Sequence, residues 1–376
     1  MRRVTWMAVV AVCLAVLLAG CGMKDSGAVV KDLDHVISKL DSYEGAGRMV
    51  LHTGQQPQEY QVEVSYMNPH FYRIALTNAQ KDITQIVLRN EEGVFVLTPH
   101  LKKSFRFQSD WPENQGQVYL YQSLAKSILA DKERQFTTEN EAYVFDVAAN
   151  YQNELLSRQK IWLNKKDLAP QHVEVSDANQ NVMVMVDFTK FKFGVKFDKD
   201  SFDMERNMTA WDVSTLPTLA DVDGVLDGAD GQAAKDGGGT AAAGSTKTDT
   251  TAGQATASAS DSGKMSFGII EPAYTPKDVV KQDMTDIKLN EDPAVLLRYK
   301  GKYNYSLIEV RPQAQTVSFL PGEVVDLGYT LAVLTGDEKK TLSWTYDGVE
   351  YRLSTADLPQ EEMLKVAMAV QGQSGK

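Results

Sequence analysis

Tyr60-Gln61-Val62-Glu63-Val64-Ser65-Tyr66 alternates apolar and polar side chains at every step, and this pattern decides the fold. A period of two places the apolar set on one face of a β-strand and the polar set on the other. Turn-forming residues such as Asn68-Pro69 and the segment 90–93 separate runs of this kind. The spacing predicts an antiparallel meander whose other strands cover residues 72–76, 83–88, 94–97, 105–107, 143–148, 156–163, 171–175 and 182–188.

Two segments repeat their apolar residues at helical spacing instead. Residues 29–40 and 117–129 each predict an amphipathic helix, the first of them capped by Ser26. The strand around Val182-Met183-Val184-Met185-Val186 is apolar on both sides. Because such a strand is normally covered on both faces, we expect another segment to pack on its second face.

The first 20 residues have the composition of a secretory signal. Arg2 and Arg3 precede a mostly apolar run over residues 4–18, which is too short and wrongly flanked for a membrane-spanning helix. Leu18-Ala19-Gly20-Cys21 resembles a bacterial lipobox. This resemblance implies cleavage between Gly20 and Cys21, lipidation of Cys21, and attachment to the extracytoplasmic face of the cell membrane through a tether over residues 21–27. The alternatives are an ordinary signal that contains a cysteine and an uncleaved anchor.

Charge and cysteine content limit the partners of the mature chain. Of 39 basic and 50 acidic residues, the signal removes two arginines and no acid, which leaves 37 against 50 and a net charge of −13. This net negative charge argues against nucleic acid as a partner, because a protein binds the phosphate groups of nucleic acid through a basic surface. Cys13 lies in the signal and Cys21 at the anchor, so we expect no disulfide and no cysteine-based metal site.

A composition change divides the mature chain. Residues 228–263 contain no aromatic residue and no Leu, Ile, Val or Met, so they cannot bury enough apolar area to fold. We therefore predict a disordered Gly/Ala/Ser/Thr/Asp linker over residues 216–263, between domains at 28–215 and 264–376. In the second domain, Asp347-Gly348 between alternating runs predicts a β-hairpin, and residues 358–370 predict a closing helix. The second domain is thus a small α+β unit.

The sequence marks out no catalytic site. None of the five histidines has metal-ligand spacing to another, and there is no nucleophile elbow, phosphate-binding loop or dinucleotide fingerprint. A calcium loop starting at Asp221 fails because Val225 and Gln232 occupy two ligand positions. Acidic residues are abundant, but no general acid–base pair is distinguished among them. We expect a protein that is not an enzyme and that holds no metal or cofactor.

Large apolar side chains are concentrated in the first domain. They can form an ordinary core, or they can line a wide apolar pocket between a curved sheet and its helices, suited to an acyl chain or a hydrophobic peptide. The candidate lining residues are Phe71, Phe95, Phe105, Phe107, Trp111, Tyr119, Met183 and Met185.

The first domain resembles the LolA family of lipoprotein carriers. The resemblance rests on residues 68–73 (NPHFYR), 90–99 (NEEGVFVLTP) and the closing segment 188–202, and it covers about residues 28–205. It implies an incomplete antiparallel barrel closed by helices over a lipid-binding cavity. The carriers have an arginine, tied to lid closure, where this chain has Asn68. This difference and the anchor favour a fixed acceptor, chaperone or binding platform over a shuttle.

Residues 104–119 (SFRFQSDWPENQGQVY) resemble more closely the YdcC-type sporulation lipoproteins of spore-forming Firmicutes. That resemblance implies a role in sporulation or germination. We expect a membrane-anchored protein that binds a lipid or lipoprotein, or acts as a chaperone for one. The alternative is a regulatory or scaffold protein similar to RseB, which would bind a membrane or cell-wall protein.

Overall fold

The structure is a computed structural model of the 376-residue chain. It describes residues 24–52, 56–107, 117–149, 151, 156–214, 268–289, 291–312, 319–320 and 322–371, without the side chains of 210–214 and 319–320. The predicted signal, the lipidation site at Cys21, Trp111 and the predicted linker at 216–263 lie outside the described residues.

A twelve-stranded sheet, here the large sheet, contains most of the first half of the chain. Its order is β15-β6-β5-β4-β3-β2-β1-β11-β10-β9-β8-β7, and every pairing is antiparallel except that of β15 with β6. The predicted meander is confirmed. Its strands are β1 (Ser42–Leu51), β2 (Gln58–Met67), β3 (Phe71–Asn78), β4 (Ile83–Asn90), β5 (Gly93–Thr98), β6 (Lys103–Phe107), β7 (Gln135–Glu139), β8 (Ala142–Ala148), β9 (Arg158–Asn164), β10 (Pro170–Ser176), β11 (Val182–Phe193) and β15 (Phe319–Leu320).

Three α-helices accompany the large sheet: α1 (Ser26–Ser38), α2 (Tyr121–Ala130) and α3 (Met204–Ser214). The expected cap at Ser26 is wrong, since Asp25 is the N-cap and its carboxylate accepts a hydrogen bond from the Ala28 N–H at 2.7 Å. Aspartate is as good a cap as serine, so the helix begins one residue earlier. The second helix starts at Tyr121 rather than 117, because residues 117–120 form a turn closed by the Leu120 N–H and the Gln117 carbonyl.

A seven-stranded antiparallel sheet, here the small sheet, follows in the order β12-β13-β14-β19-β18-β17-β16. The Asp347-Gly348 turn joins β18 to β19 with φ of 50° and 69°, as the sequence predicts. The closing helix is shorter than predicted. The elements are β12 (Val279–Leu289), β13 (Asp292–Gly301), β14 (Tyr305–Val310), β16 (Glu323–Asp326), β17 (Leu331–Thr335), β18 (Lys340–Tyr346), β19 (Val349–Thr355) and α4 (Gln360–Met368).

The large sheet has an inner face, which carries the main core, and an outer face. Val62, Val64 and Ile74 lie on the inner face within one apolar cluster that continues into the small sheet. On the outer face of β3, β4 and β5, a second cluster packs beneath Phe202 and the start of α3. These three strands are therefore covered on both sides, and the fold is mainly β, as expected.

The prediction that both faces of β11 are covered by other segments is wrong. Val184 and Val186 are buried on the inner face, whereas Met183 and Met185 alternate with them and keep partial exposure. The segment that supplies a second layer lies over β3–β5 instead. Within the described residues, no helix is both long and apolar enough to cross a membrane.

Candidate functional site

The candidate site is the inner face of the large sheet, because the predicted pocket would open there. At one end of the strands the helices α1 and α2 cover this face. Tyr43 is fully buried, stacks on Phe191 with ring centroids 5.1 Å apart, and donates a hydrogen bond from its hydroxyl to Gln122 Oε1 at 2.8 Å. This end of the face is a packed aromatic core.

The small sheet covers the other end of the inner face. The Tyr60 hydroxyl donates to Gln371 Oε1 at 2.9 Å, and Gln85 Nε2 donates to the Thr345 carbonyl at 3.1 Å. All four residues are at most 6% exposed, so these bonds join the two sheets out of contact with bulk water. The β18–β19 hairpin and the end of the chain after α4 thus occupy the face that a lipid carrier would leave open.

Charged contacts continue the same interface at its rim. Lys103 Nζ donates to the Gly348 carbonyl at 3.0 Å, and the Asp347 carboxylate lies 3.9 Å from both Lys81 Nζ and His100 Nε2. Burial lowers the pKa of Lys103 and of His100, and the Asp347 charge partly offsets this at His100. The hairpin turn is therefore held on the edge of the large sheet by several groups.

The structure separates the predicted lining residues into three groups. Phe105, Phe107 and Tyr119 are buried; Phe105 and Phe107 pair with Val96 and Val94 on the inner face, and Tyr119 belongs to the main core. Met183 contacts the main core but is partly exposed, and Trp111 lies outside the described residues. Phe71, Phe95 and Met185 form the third group.

The third group lies on the outer face of the large sheet. Phe71 and Phe95 belong to the outer cluster, where the Phe71 ring lies 5.6 Å from Phe202. Met185 pairs with Val50 on β1 and with Glu174 on β10. Its side chain lies on the opposite face of β11 from that of Val184. Strand alternation allows only every second residue to face inward, so neighbouring aromatic residues in sequence divide between the two faces.

Polar groups also meet near β9, between the two halves of the chain. The Tyr151 hydroxyl donates to Gln159 Oε1 at 2.5 Å. Burial raises the pKa of Tyr119 and of Tyr151, and the charge of Asp326 at the end of β16 adds to the rise at both phenols.

Burial raises the pKa of Asp326 to about 7, and the Gly328 N–H, 2.7 Å from Oδ1, partly opposes this. Among the described residues, no group of three or more histidine, cysteine and acidic side chains is arranged to hold a metal ion. The hydrogen bonds and the raised pKa values are those of a closed interface between the two halves of the chain.

The comparisons with known proteins agree with the sequence resemblance. The family model "Sporulation protein YdcC-like" matches residues 1–202 of this chain. The chain belongs to the YdcC-like sporulation protein family. Sporulation protein YdcC of Bacillus subtilis (strain 168) is 39% identical over 370 residues, which cover 96% of this chain and 96% of that protein.

Solved structures similar to this YdcC-like chain include a chain of the MucA/MucB complex and a LolA superfamily protein. The Pseudomonas aeruginosa MucA/MucB complex contains a chain that matches 92% of this chain and 98% of its own length, with 11% identity and a TM-score of 0.31. The LolA superfamily protein NE2245 from Nitrosomonas europaea covers 49% of this chain and 99% of its own length, with 10% identity and a TM-score of 0.28.

Sequence reasoning missed the residues of the second half of the chain that complete the site. Thr345 and Gln371 lie 260 and 311 residues after their partners Gln85 and Tyr60. The Asp347-Gly348 turn was the one local sequence signal in this part of the interface. It predicts a hairpin but not which residues the hairpin contacts. Nothing local in the sequence of this YdcC-like chain marks Thr345 or Gln371 as a contact of the large sheet.

Proposed function

We propose that this chain is a lipid-anchored, extracytoplasmic, non-enzymatic protein that serves sporulation by binding a protein partner. The role in sporulation follows from the family. The observation that supports a protein partner over a lipid is the occupation of the inner face by α1, α2 and the small sheet. The lipid- or lipoprotein-binding role expected by resemblance to LolA is the alternative.

The energetics of the interface disfavour a lipid vessel. An acyl chain on the inner face near β2 and β4 would have to displace the small sheet. Tyr60 and Gln85 would then lose their partners Gln371 and Thr345. A buried polar group left without its hydrogen bond costs about 1–3 kcal/mol, and hydrocarbon cannot replace the lost partner. A partner that binds the assembled surface incurs no such cost.

Site-specific photo-cross-linking tests the kind of ligand. The photoreactive residue benzoylphenylalanine is placed at Val280 or Met284 on β12, which are 68% and 48% exposed, and the full-length protein is irradiated in sporulating cells. Both positions are exposed, so the photoreactive side chain can reach a bound molecule without disturbing the core. A discrete cross-linked polypeptide from at least one position is expected; cross-links to lipid alone would contradict a protein partner. The matched control carries the same residue at Lys190, on the exposed surface of β11.

Metabolic labelling tests the anchor. We expect radioactive palmitate to label the wild-type chain and Cys21→Ser to abolish the label, because the thiol is the acceptor of the first acyl chain. Cys13→Ser is the control, since Cys13 lies in the part that cleavage removes. Recovery of unlabelled wild-type protein in the cytosolic fraction would overturn the anchored, extracytoplasmic part of the proposal.

A further inference from the structure

The small sheet ends in a long edge strand. β12 is the last strand in its order and pairs with β13 alone among the described strands. It has 11 residues, whereas the other edge strands, β7, β15 and β16, have five, two and four. An edge strand presents unpaired backbone N–H and C=O groups to which another extended strand can bind. The outer side of β12 is therefore the longest backbone edge that the described structure offers to another chain.

The regular part of this edge is accessible. From Asp283 to Leu289 every residue pairs with β13 without interruption, and the irregularity of the strand lies before Asp283. Met284, Asp286 and Lys288 are all exposed. Because they are two residues apart along a strand, their side chains share one face. Another strand can therefore pair with this part of β12 without displacing a described residue.

Two charges on this part of the strand have no opposite charge. Asp283 forms an ion pair with Arg298 at 2.8 Å. Among the described residues, neither Asp286 nor Lys288 has an ion-pair partner, and the two lie on either side of Ile287. Charged side chains on an edge usually prevent pairing between copies of a protein. The order of these charges therefore decides whether a second copy can bind.

A second copy fits this edge in one register. Antiparallel pairing about a two-fold axis at Ile287 places Ile287 opposite itself and, twice, Asp286 of one copy opposite Lys288 of the other. Side chains directly opposite each other have Cβ atoms about 4.5–5.5 Å apart, where opposite charges stabilise the pair. Moving the axis by one residue places Asp286 or Lys288 opposite its own copy, and like charges there are destabilising.

We propose that the edge of β12 binds a second copy of this chain, with the two strands antiparallel and centred on Ile287, so that two small sheets join into one. The charge order favours a second copy over an unrelated strand, because Asp286 and Lys288 supply both members of each ion pair. The contact spans only residues 285–289, and contacts this small give weak association. The inference does not depend on the proposed function, since it requires neither the anchor nor another protein.

Charge exchange tests the register by sedimentation velocity of the full-length protein in detergent at increasing concentration. Asp286→Lys and Lys288→Asp each place like charges opposite each other, and each should weaken self-association by at least about fivefold. Both side chains are exposed, so the variants are expected to fold. A mixture of the two single variants restores both opposite-charge pairs, and so does the double variant. Both samples should associate as the wild type does.

Asp337→Lys is the matched control, because it makes the same charge change at an exposed turn between β17 and β18 and should leave self-association unchanged. Equal association of the wild type and both single variants would overturn the proposal, and so would a mixture that associates no better than each variant alone. A photo-cross-linked product made of this chain alone would report this contact, whereas a product with another polypeptide would report the proposed function.

A single cysteine tests the axis of the dimer. In the full chain with Cys13→Ser and Cys21→Ser, an introduced cysteine is the only one. Ile287→Cys places two thiols opposite each other, and residues opposite in an antiparallel pair have Cα atoms about 4.5 or 5.5 Å apart, within reach of a disulfide. Mild oxidation should therefore give a covalent dimer from Ile287→Cys and much less from Thr285→Cys, which lies opposite Leu289. Equal yields, or no dimer from Ile287→Cys, would overturn the proposed axis.

Discussion

At the scale of single residues, Glu309 shows how burial controls charge in the small sheet. It is 0% exposed; its Oε2 accepts the Ile270 N–H at 3.0 Å, and its Oε1 has no partner among the described residues. Burial raises its pKa to about 7, and the Ile270 N–H and the Arg311 charge partly offset this rise. One carboxyl group therefore holds the segment before β12 against β14 and keeps its proton up to near neutral pH.

The pKa of Glu309 makes stability depend on pH. The unfolded chain ionises this group near its ordinary value of 4.5, whereas the folded chain keeps the proton to about pH 7. The unfolded state thus binds fewer protons between these values, and the free energy of unfolding falls as pH rises through that window, by up to about 3 kcal/mol, then levels off.

Glu309→Gln is expected to remove about half of the decline between pH 5 and pH 8, because glutamine keeps an oxygen for the Ile270 N–H and carries no charge. Urea unfolding at pH 5 and pH 8 measures the difference between wild type and variant. Asp326, whose pKa is also raised to about 7, leaves a residual dependence. Glu291→Gln, at an exposed turn, is the control and should keep the full decline. An equal decline in Glu309→Gln would contradict the explanation.

At the scale of elements, the segment that ends the first half of the chain acts as a second cover for the large sheet. Phe202 is 1% exposed and packs on Phe71, while Asn90 Nδ2 donates to the Phe202 carbonyl at 3.0 Å. Asn207 Oδ1 accepts from Arg73 Nε at 2.7 Å, which joins α3 to β3. The outer face of β3–β5 is thereby a core rather than a free surface.

Phe202→Ala is expected to lower the free energy of unfolding by about 3 kcal/mol or more, since it empties a buried aromatic site. Chemical denaturation measures this loss. Phe197→Ala, in the same segment but partly exposed, should cost clearly less. Similar losses at both positions would show that the segment does not form a buried cover.

At the scale of the whole molecule, the contact between the hairpin turn and the large sheet joins the two halves. Gly348 has a φ of 69°, and a Cβ placed on it would collide with Leu101 Cδ1. Leu101 is 37% exposed and belongs to the short 3-10 helix Pro99–Leu101 that precedes β6. The turn thus needs glycine for its backbone, and a Cβ at Gly348 would also displace the end of the Leu101 side chain.

Gly348→Ala should therefore destabilise the protein by about 1–2 kcal/mol, mainly through backbone strain, with a smaller contribution from the shift of Leu101. Gly194→Ala is the matched control, because Gly194 has a φ of 67° and no atom within 4 Å of the added Cβ. Combining Gly348→Ala with Leu101→Ala should cost less than the sum of the two single changes in urea unfolding. If the stability losses of Gly348→Ala and Leu101→Ala simply add in the double variant, the two residues do not interact and the proposed contact is contradicted.

Much of the architecture followed from local patterns. The strands of the meander, both amphipathic helices and the Asp347-Gly348 hairpin all rest on periodicity or turn chemistry between near neighbours, and these are present in the sequence. The edge strands β7 and β12 were missed, because exposed strands carry no apolar alternation: β12 is largely polar and solvent-exposed.

The sequence by itself determined the family, the mainly β fold and the alternation that assigns every second side chain to one face. Only the tertiary structure decided which face is inner. Among the candidate lining residues, Phe105 and Phe107 lie on the inner face and Tyr119 in the main core, whereas Phe71, Phe95 and Met185 lie on the outer face. The same holds for the contacts of Tyr60 with Gln371 and of Gln85 with Thr345, whose members are far apart in the chain. Alternation in the sequence shows which side chains of a strand share a face. What covers each face depends on packing between distant parts of the chain, which local patterns do not contain.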